Sequence, residues 1–182
     1  VAKDILTEYL ESIFENVNTW VKFAEAKNVA LLTLDAAAIF GLLRLYSSYQ
    51  PQSSWVVNAM AAAIALLFIS LVICLSSFFA RTKVSRILFA RPPRNQKNNL
   101  FFFNDLAGME EESFLMALTK STAYQGEVHP LHRDIANQII VNSRVARKKY
   151  ALFNAALWVT MATIITPVGA IVFYWMLNEE TI

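Results

Sequence analysis

Three long apolar runs constrain this 182-residue chain more than any other feature. They are NVALLTLDAAAIFGLLRLY at 28–46, WVVNAMAAAIALLFISLVICLSSFFA at 55–80 and LFNAALWVTMATIITPVGAIVFYWML at 152–177. Each supplies the roughly 20 predominantly apolar residues that cross a hydrocarbon core about 30 Å thick. Three buried helices of a water-soluble bundle would each need a polar outer face, and the second and third runs have none. Composition agrees: 56% of residues are hydrophobic and 16% charged, with mean hydropathy +0.40. Soluble domains carry about 25% charged residues. The sequence therefore predicts an all-α membrane protein with three transmembrane helices, an N-terminal amphipathic helix and a small helical cytosolic segment.

Aromatic residues mark the span ends, with Tyr46, Tyr49 and Trp55 around the first loop and Tyr174 and Trp175 at the end of the third run. The loop SSYQPQSS at 47–54 has no Lys or Arg, whereas 81–150 holds twelve of them. The positive-inside rule then places the N-terminus and 81–150 on the cytoplasmic side, with the acidic C-terminal tail outside. Residues 1–4 lack the pattern of a cleaved signal peptide, so insertion is expected to rely on the first internal span. The expected organisation is a cytosolic amphipathic helix at 1–27, a transmembrane hairpin at 28–80, a cytosolic helical segment at 81–150 and the third span with a short outer tail at 151–182.

Leu6, Leu10, Ile13, Val17, Trp20 and Ala24 follow steps of four and three, the seam of an amphipathic helix. That stripe can meet a partner helix in an oligomer or the chain's own cytosolic segment. An acidic opposite face (Asp4, Glu8, Glu11, Glu15) disfavours a membrane surface. Beyond the second span, Pro92 and Pro93 break the helix and begin an irregular connector. A short helix follows Gly108, with Glu110, Glu111 and Glu112 in its first turn, where carboxylates oppose the helix dipole. Another begins near Pro130 and continues into the third span as one rod, kinked at Pro167.

Few residues carry chemistry. Asp35, about 12 Å into the first span by helical rise, is the costliest. It reads either as a pore-lining or gating acid in an oligomer, or as a protonated or hydrogen-bonded packing residue meeting Thr160 or Thr163. Glu25 and Lys27 at the cytosolic mouth of that helix share the choice between gating and ordinary snorkelling, and Arg44 is a snorkelling anchor. Arg86, Arg91, Arg94, Arg133 and Arg144 exceed what topology requires, and guanidinium forks fit phosphate oxygens. His129 and His132 lack a third ligand for a metal and read as cap or surface residues. Cys74, the single cysteine, excludes an intramolecular disulfide and sits in an apolar run. The four glycines assemble no phosphate loop, and no nucleophile–base arrangement is present, so no enzyme, cofactor or nucleic-acid partner is expected.

Three stretches give the chain a resemblance to a known family. The first is Ala24-Glu25-Ala26-Lys27-Asn28 running into the apolar helix through Asp35; the second is Leu100-Phe101-Phe102-Phe103-Asn104-Asp105; the third is Arg133-Asp134-Ile135-Ala136 with Asn142 to Arg147 and Lys149-Tyr150. Together they resemble the transmembrane effectors of Pycsar antiphage systems, with Asp35 where that family has Asn, Asn104 where it has Gly and Asn28 where it has Ala. The resemblance implies an effector that senses a cyclic pyrimidine mononucleotide, cUMP or cCMP, on its cytosolic side. Such an effector impairs the inner membrane, arresting or killing the infected cell, and acts as a homo-oligomer in the lipid bilayer. The competing expectation is a non-catalytic scaffold that recruits a soluble partner through the N-terminal helix.

Overall fold

No glycine or proline occurs between Ile5 and Phe40, so nothing interrupts helical hydrogen bonding there. In the computed structural model, which describes residues 4–49, 53–79 and 99–179, that stretch belongs to a single helix. Helix α1 spans Ile5–Tyr49 and runs unbroken through residue 28, where the sequence passes from the amphipathic stretch to the apolar run. Helix α2 spans Ser54–Ser76, α3 Phe103–Leu106, α4 Glu111–Ser121 and α5 Pro130–Glu179. Among the described residues there is no strand.

The second apolar run stops being helical earlier than its composition suggests. After Ser76, the amides of Ser77 and Phe78 bond to Cys74 O and Leu75 O, an i→i−3 pattern that tightens and ends the last turn. The Ser76 hydroxyl also bonds to Ile73 O at 2.6 Å. Helix α4 begins where the acidic cluster placed it, with Glu110 as N-cap and Glu111 and Glu112 in the first turn. It ends in a Schellman turn: Tyr124 N–H reaches Thr119 O at 3.0 Å, and Ala123 adopts φ 52°. Helix α5 is one 50-residue rod from Pro130, as expected, and runs through Pro167. Its side chains from Pro167 onward, including Tyr174 and Trp175, lie outside the described residues, as does the connector at 80–98.

The chain divides into two units: Val1–Ala26 with Ala80–Ala151, and Lys27–Phe79 with Leu152–Ile182. The first has the core of a water-soluble domain. Leu6, Leu10, Ile13 and Val17 of α1 are fully buried with Phe114 and Leu118 of α4 and Ala136 and Ile139 of α5. Fully burying a Leu, Ile or Phe side chain contributes about 1.5–3 kcal/mol. The N-terminal stripe is therefore satisfied inside this chain.

The second unit is built the other way round. Leu34, Phe40, Leu66, Phe68, Ile69, Val72, Trp158 and Ile165 all point outward, with Phe40 at 71% and Trp158 at 76% exposure. Only 17% of the apolar window of α2 is buried within the protein, and 11% of that of α1. A core helix of a soluble protein would be mostly buried, and an apolar surface this extensive needs a nonaqueous cover. Among the described residues, α1 and α2 are the helices long and apolar enough to cross a membrane.

Candidate functional site

The arginines nominated by sequence have different fates. Arg86, Arg91 and Arg94 lie outside the described residues. Arg133 is half exposed and faces Glu111 at 3.6 Å and Glu112 at 3.9 Å, so its charge is already compensated. Arg144 works on the backbone: Nε donates to Ala107 O at 3.3 Å and Nη2 to Met109 O at 3.2 Å. Those carbonyls follow the short helix α3, and one guanidinium fork holds that turn against α5.

Arg147 was not among the arginines singled out by sequence. It lies one turn beyond Arg144. Partial burial, and then the neighbouring Arg144 charge, push its guanidinium below the usual arginine range. No carboxylate pairs with it among the described residues. Close by in sequence, the Tyr150 ring stacks on Phe103 at 5.1 Å and meets Trp20 edge-on at 6.2 Å. Trp20 also packs on Phe102 and Phe103, at 6.4 Å and 5.3 Å. Burial raises the Tyr150 hydroxyl above its ordinary range. The Phe101–Phe103 run was visible in the sequence; its partners on α1 and α5 were not, because no spacing rule joins residues so far apart.

His129 is exposed, as expected of a cap or surface residue, whereas His132 is buried and acts as a cross-brace. His132 Nδ1 accepts the His129 amide at 3.3 Å, which leaves Nε2 facing Thr7 Oγ1 at 3.0 Å and Asp4 Oδ2 at 3.4 Å. Tyr124 donates to the same Asp4 oxygen at 2.8 Å, and that bond raises its hydroxyl above the usual tyrosine range. The cluster ties the start of α1 to the α4–α5 connection. Among the described residues no group of His, Cys, Asp or Glu could hold a metal ion. A groove of about 410 Å³ in the same unit is lined by Glu11, Phe14, Asp134, Ile135 and Gln138. Its two carboxylates make it a poor host for a phosphate.

Glu25 and Lys27 do not share a role. Glu25 pairs with Lys149 Nζ at 3.1 Å in the first unit, while Lys27 Nζ lies 5.7 Å from the Phe153 ring centroid in the second. Asp35 is fully buried within the second unit. Thr160 of α5 donates to its Oδ1 at 2.8 Å, and Thr160 Oγ1 lies 2.9 Å from Ser70 Oγ of α2. Ser70 also donates to Ala156 O at 3.1 Å. Thr163, the other partner anticipated for Asp35, bonds instead to Val159 O on its own helix at 2.9 Å. Three helices thus meet on a chain of polar groups inside an apolar unit.

A soluble-type helical core in one unit and an outward-facing apolar surface in the other define a helical membrane protein. The family model of the Pycsar effector protein domain matches residues 9–176, and the chain belongs to that family. It is similar to the Pycsar effector protein RsPycTM of a Rhizobium species, 29% identical over 138 residues that cover 74% of this chain and 77% of that protein. No solved structure matches. Family membership makes this chain an antiphage effector associated with the membrane.

Proposed function

We propose that this chain binds a cyclic pyrimidine mononucleotide, cUMP or cCMP, through its first unit and responds by breaching the inner membrane, arresting or killing the infected cell. The observation that carries the reading is Arg147. A half-buried guanidinium beside another arginine, with no carboxylate partner among the described residues, is a place where an anion relieves an existing electrostatic cost. A cyclic nucleotide brings one phosphate charge and a flat base, and the Trp20–Phe102–Phe103–Tyr150 cluster offers aromatic faces within the same unit. Arg86, Arg91 and Arg94 are further candidate phosphate contacts. Arg133 and Arg144 are weaker ones, because both already have partners.

Helices α1 and α5 each supply residues to both units, so a change at Arg147 has a continuous element along which to reach the polar chain around Asp35. In this reading 152–177 is a third span, 81–150 faces the cytoplasm, and several copies act together as a homo-oligomer. Asp35 serves as the gating acid, with Glu25 and Lys27 at the cytosolic mouth. The scaffold alternative is disfavoured by the burial of Leu10, Ile13 and Val17, the residues such a partner would need.

The test is binding of a panel of cyclic mononucleotides to the detergent-solubilised chain, followed by dye release from liposomes. Release is expected only with a pyrimidine cyclic nucleotide. Loss of one charge-assisted contact is worth about 1.5–3 kcal/mol, so Arg147→Met should weaken binding by roughly tenfold or more. Release indifferent to every nucleotide, with no binding detected, would refute the proposal.

A further inference from the structure

Asp35 has one hydrogen bond and one buried oxygen, Oδ2, with no partner. Among the described residues, no charged side chain of its own unit is placed to compensate it. On α1 the nearest charged positions are Lys27 and Arg44, eight and nine residues away, or about 12–14 Å along the helix. Helix α2 has no charged residue, and its one titratable group, Cys74, packs on Leu31 and Ala156. Residues 152–166 of α5 carry no charge either. An ionised carboxylate in such surroundings is strongly destabilising unless it is neutralised.

The surrounding oxygens suit a neutralising cation. Thr160 Oγ1, Ser70 Oγ and Ala156 O lie within a single connected hydrogen-bond chain with Asp35 Oδ1, every link between 2.8 and 3.2 Å. Carboxylate, hydroxyl and carbonyl oxygens are hard ligands, and one carboxylate matches one positive charge.

We propose that Asp35, Thr160 and Ser70 form a site for an alkali cation inside the apolar unit. The site goes beyond nucleotide sensing and stands whether or not a nucleotide is the activator. Neutralised, it holds α1, α2 and α5 together; vacated, it leaves a bare carboxylate that draws water into the seam.

The experiment uses the full chain in nanodiscs without nucleotide. Saturable binding of radioactive sodium that is lost in Asp35→Asn supports the site. Thr160→Val should weaken sodium binding about tenfold, which keeps the test decisive if Asp35→Asn misfolds. Thr163→Val, whose hydroxyl bonds within its own helix, should leave sodium binding unchanged. No saturable sodium binding, or binding that survives in both Asp35→Asn and Thr160→Val, would overturn the proposal.

Discussion

Replacing Arg144 and Arg147 in turn by Met, which keeps most of the apolar stem, should give opposite results. Arg144 makes two bonds to backbone carbonyls at 3.3 and 3.2 Å, both at the long end of the useful range. A hydrogen bond to a charged group contributes about 1.5–3 kcal/mol in good geometry. Length and partial exposure reduce the pair to about 1–2 kcal/mol together. At about 2–4 °C per kcal/mol for a chain of this size, Arg144→Met should melt about 2–8 °C lower in the absence of nucleotide. Arg147→Met removes a charge that burial and a like-charged neighbour disfavour, so its stability should stay level or rise by about 0.2–0.5 kcal/mol. Nucleotide binding should follow the reverse order, with Arg147→Met the more damaged. Thermal unfolding in nanodiscs, monitored by tryptophan fluorescence, and equilibrium nucleotide binding measure the two quantities. Equal destabilisation by both substitutions, or full binding in Arg147→Met, would refute the division of roles.

Phe114→Ala should cost about 3–5 kcal/mol, because Phe114 is fully buried in the first unit's core; limited proteolysis of 100–150 would report the loosening. Ala123→Gly should stabilise by about 0.5–1 kcal/mol, since Ala123 holds φ 52°, where an L side chain is strained; the melting temperature reads it. Tyr124 should resist alkaline ionisation, because its bond to Asp4 favours the protonated phenol in the folded state. The stability it contributes is full below the ordinary tyrosine pKa of about 10 and is lost as pH rises through its higher folded value. Tyr124→Phe should therefore remove part of the alkaline fall in stability, followed by circular dichroism against pH.

The parts of this structure legible in the sequence were those set by local periodicity. The α1 seam from Leu6 to Val17, the acidic start of α4 and the rod beginning at Pro130 all follow from spacing and capping preferences. Helix boundaries were less legible. The second apolar run reads as a span to residue 80, yet α2 ends at Ser76, because composition does not register the i→i−3 bonds of Ser77 and Phe78. The four-residue helix α3 is too short to leave a periodic trace. Arginine roles were the least readable, because charge says nothing about which partner is near. Only the fold shows Arg133 facing glutamates, Arg144 holding carbonyls and Arg147 without a carboxylate among the described residues.

The buried seam of α1 changes chemistry along its length, and that change explains why Asp35 can sit where it does. In the first unit its members are Leu6, Leu10, Ile13 and Val17; in the second they are Asn28, Leu31 and Asp35, still in steps of three and four. On α5 the buried residues of the second unit are Ala156, Thr160 and Thr163, while its first-unit stretch mixes Ala136 and Ile139 with His132 and Ser143. In water, apolar residues drive helices together. In lipid they gain nothing by leaving acyl chains, so small residues and interhelical hydrogen bonds must hold the contact. A hydroxyl such as Ser70 or Thr160 meets that need at about 0.6 kcal/mol per bond on average. Asp35 exceeds it, because one charge costs more than one such bond returns. Packing therefore accounts for the polar seam but not for an acid within it. Asp35→Asn separates the two requirements: helix association should persist in the variant, while alkali-ion occupancy should vanish.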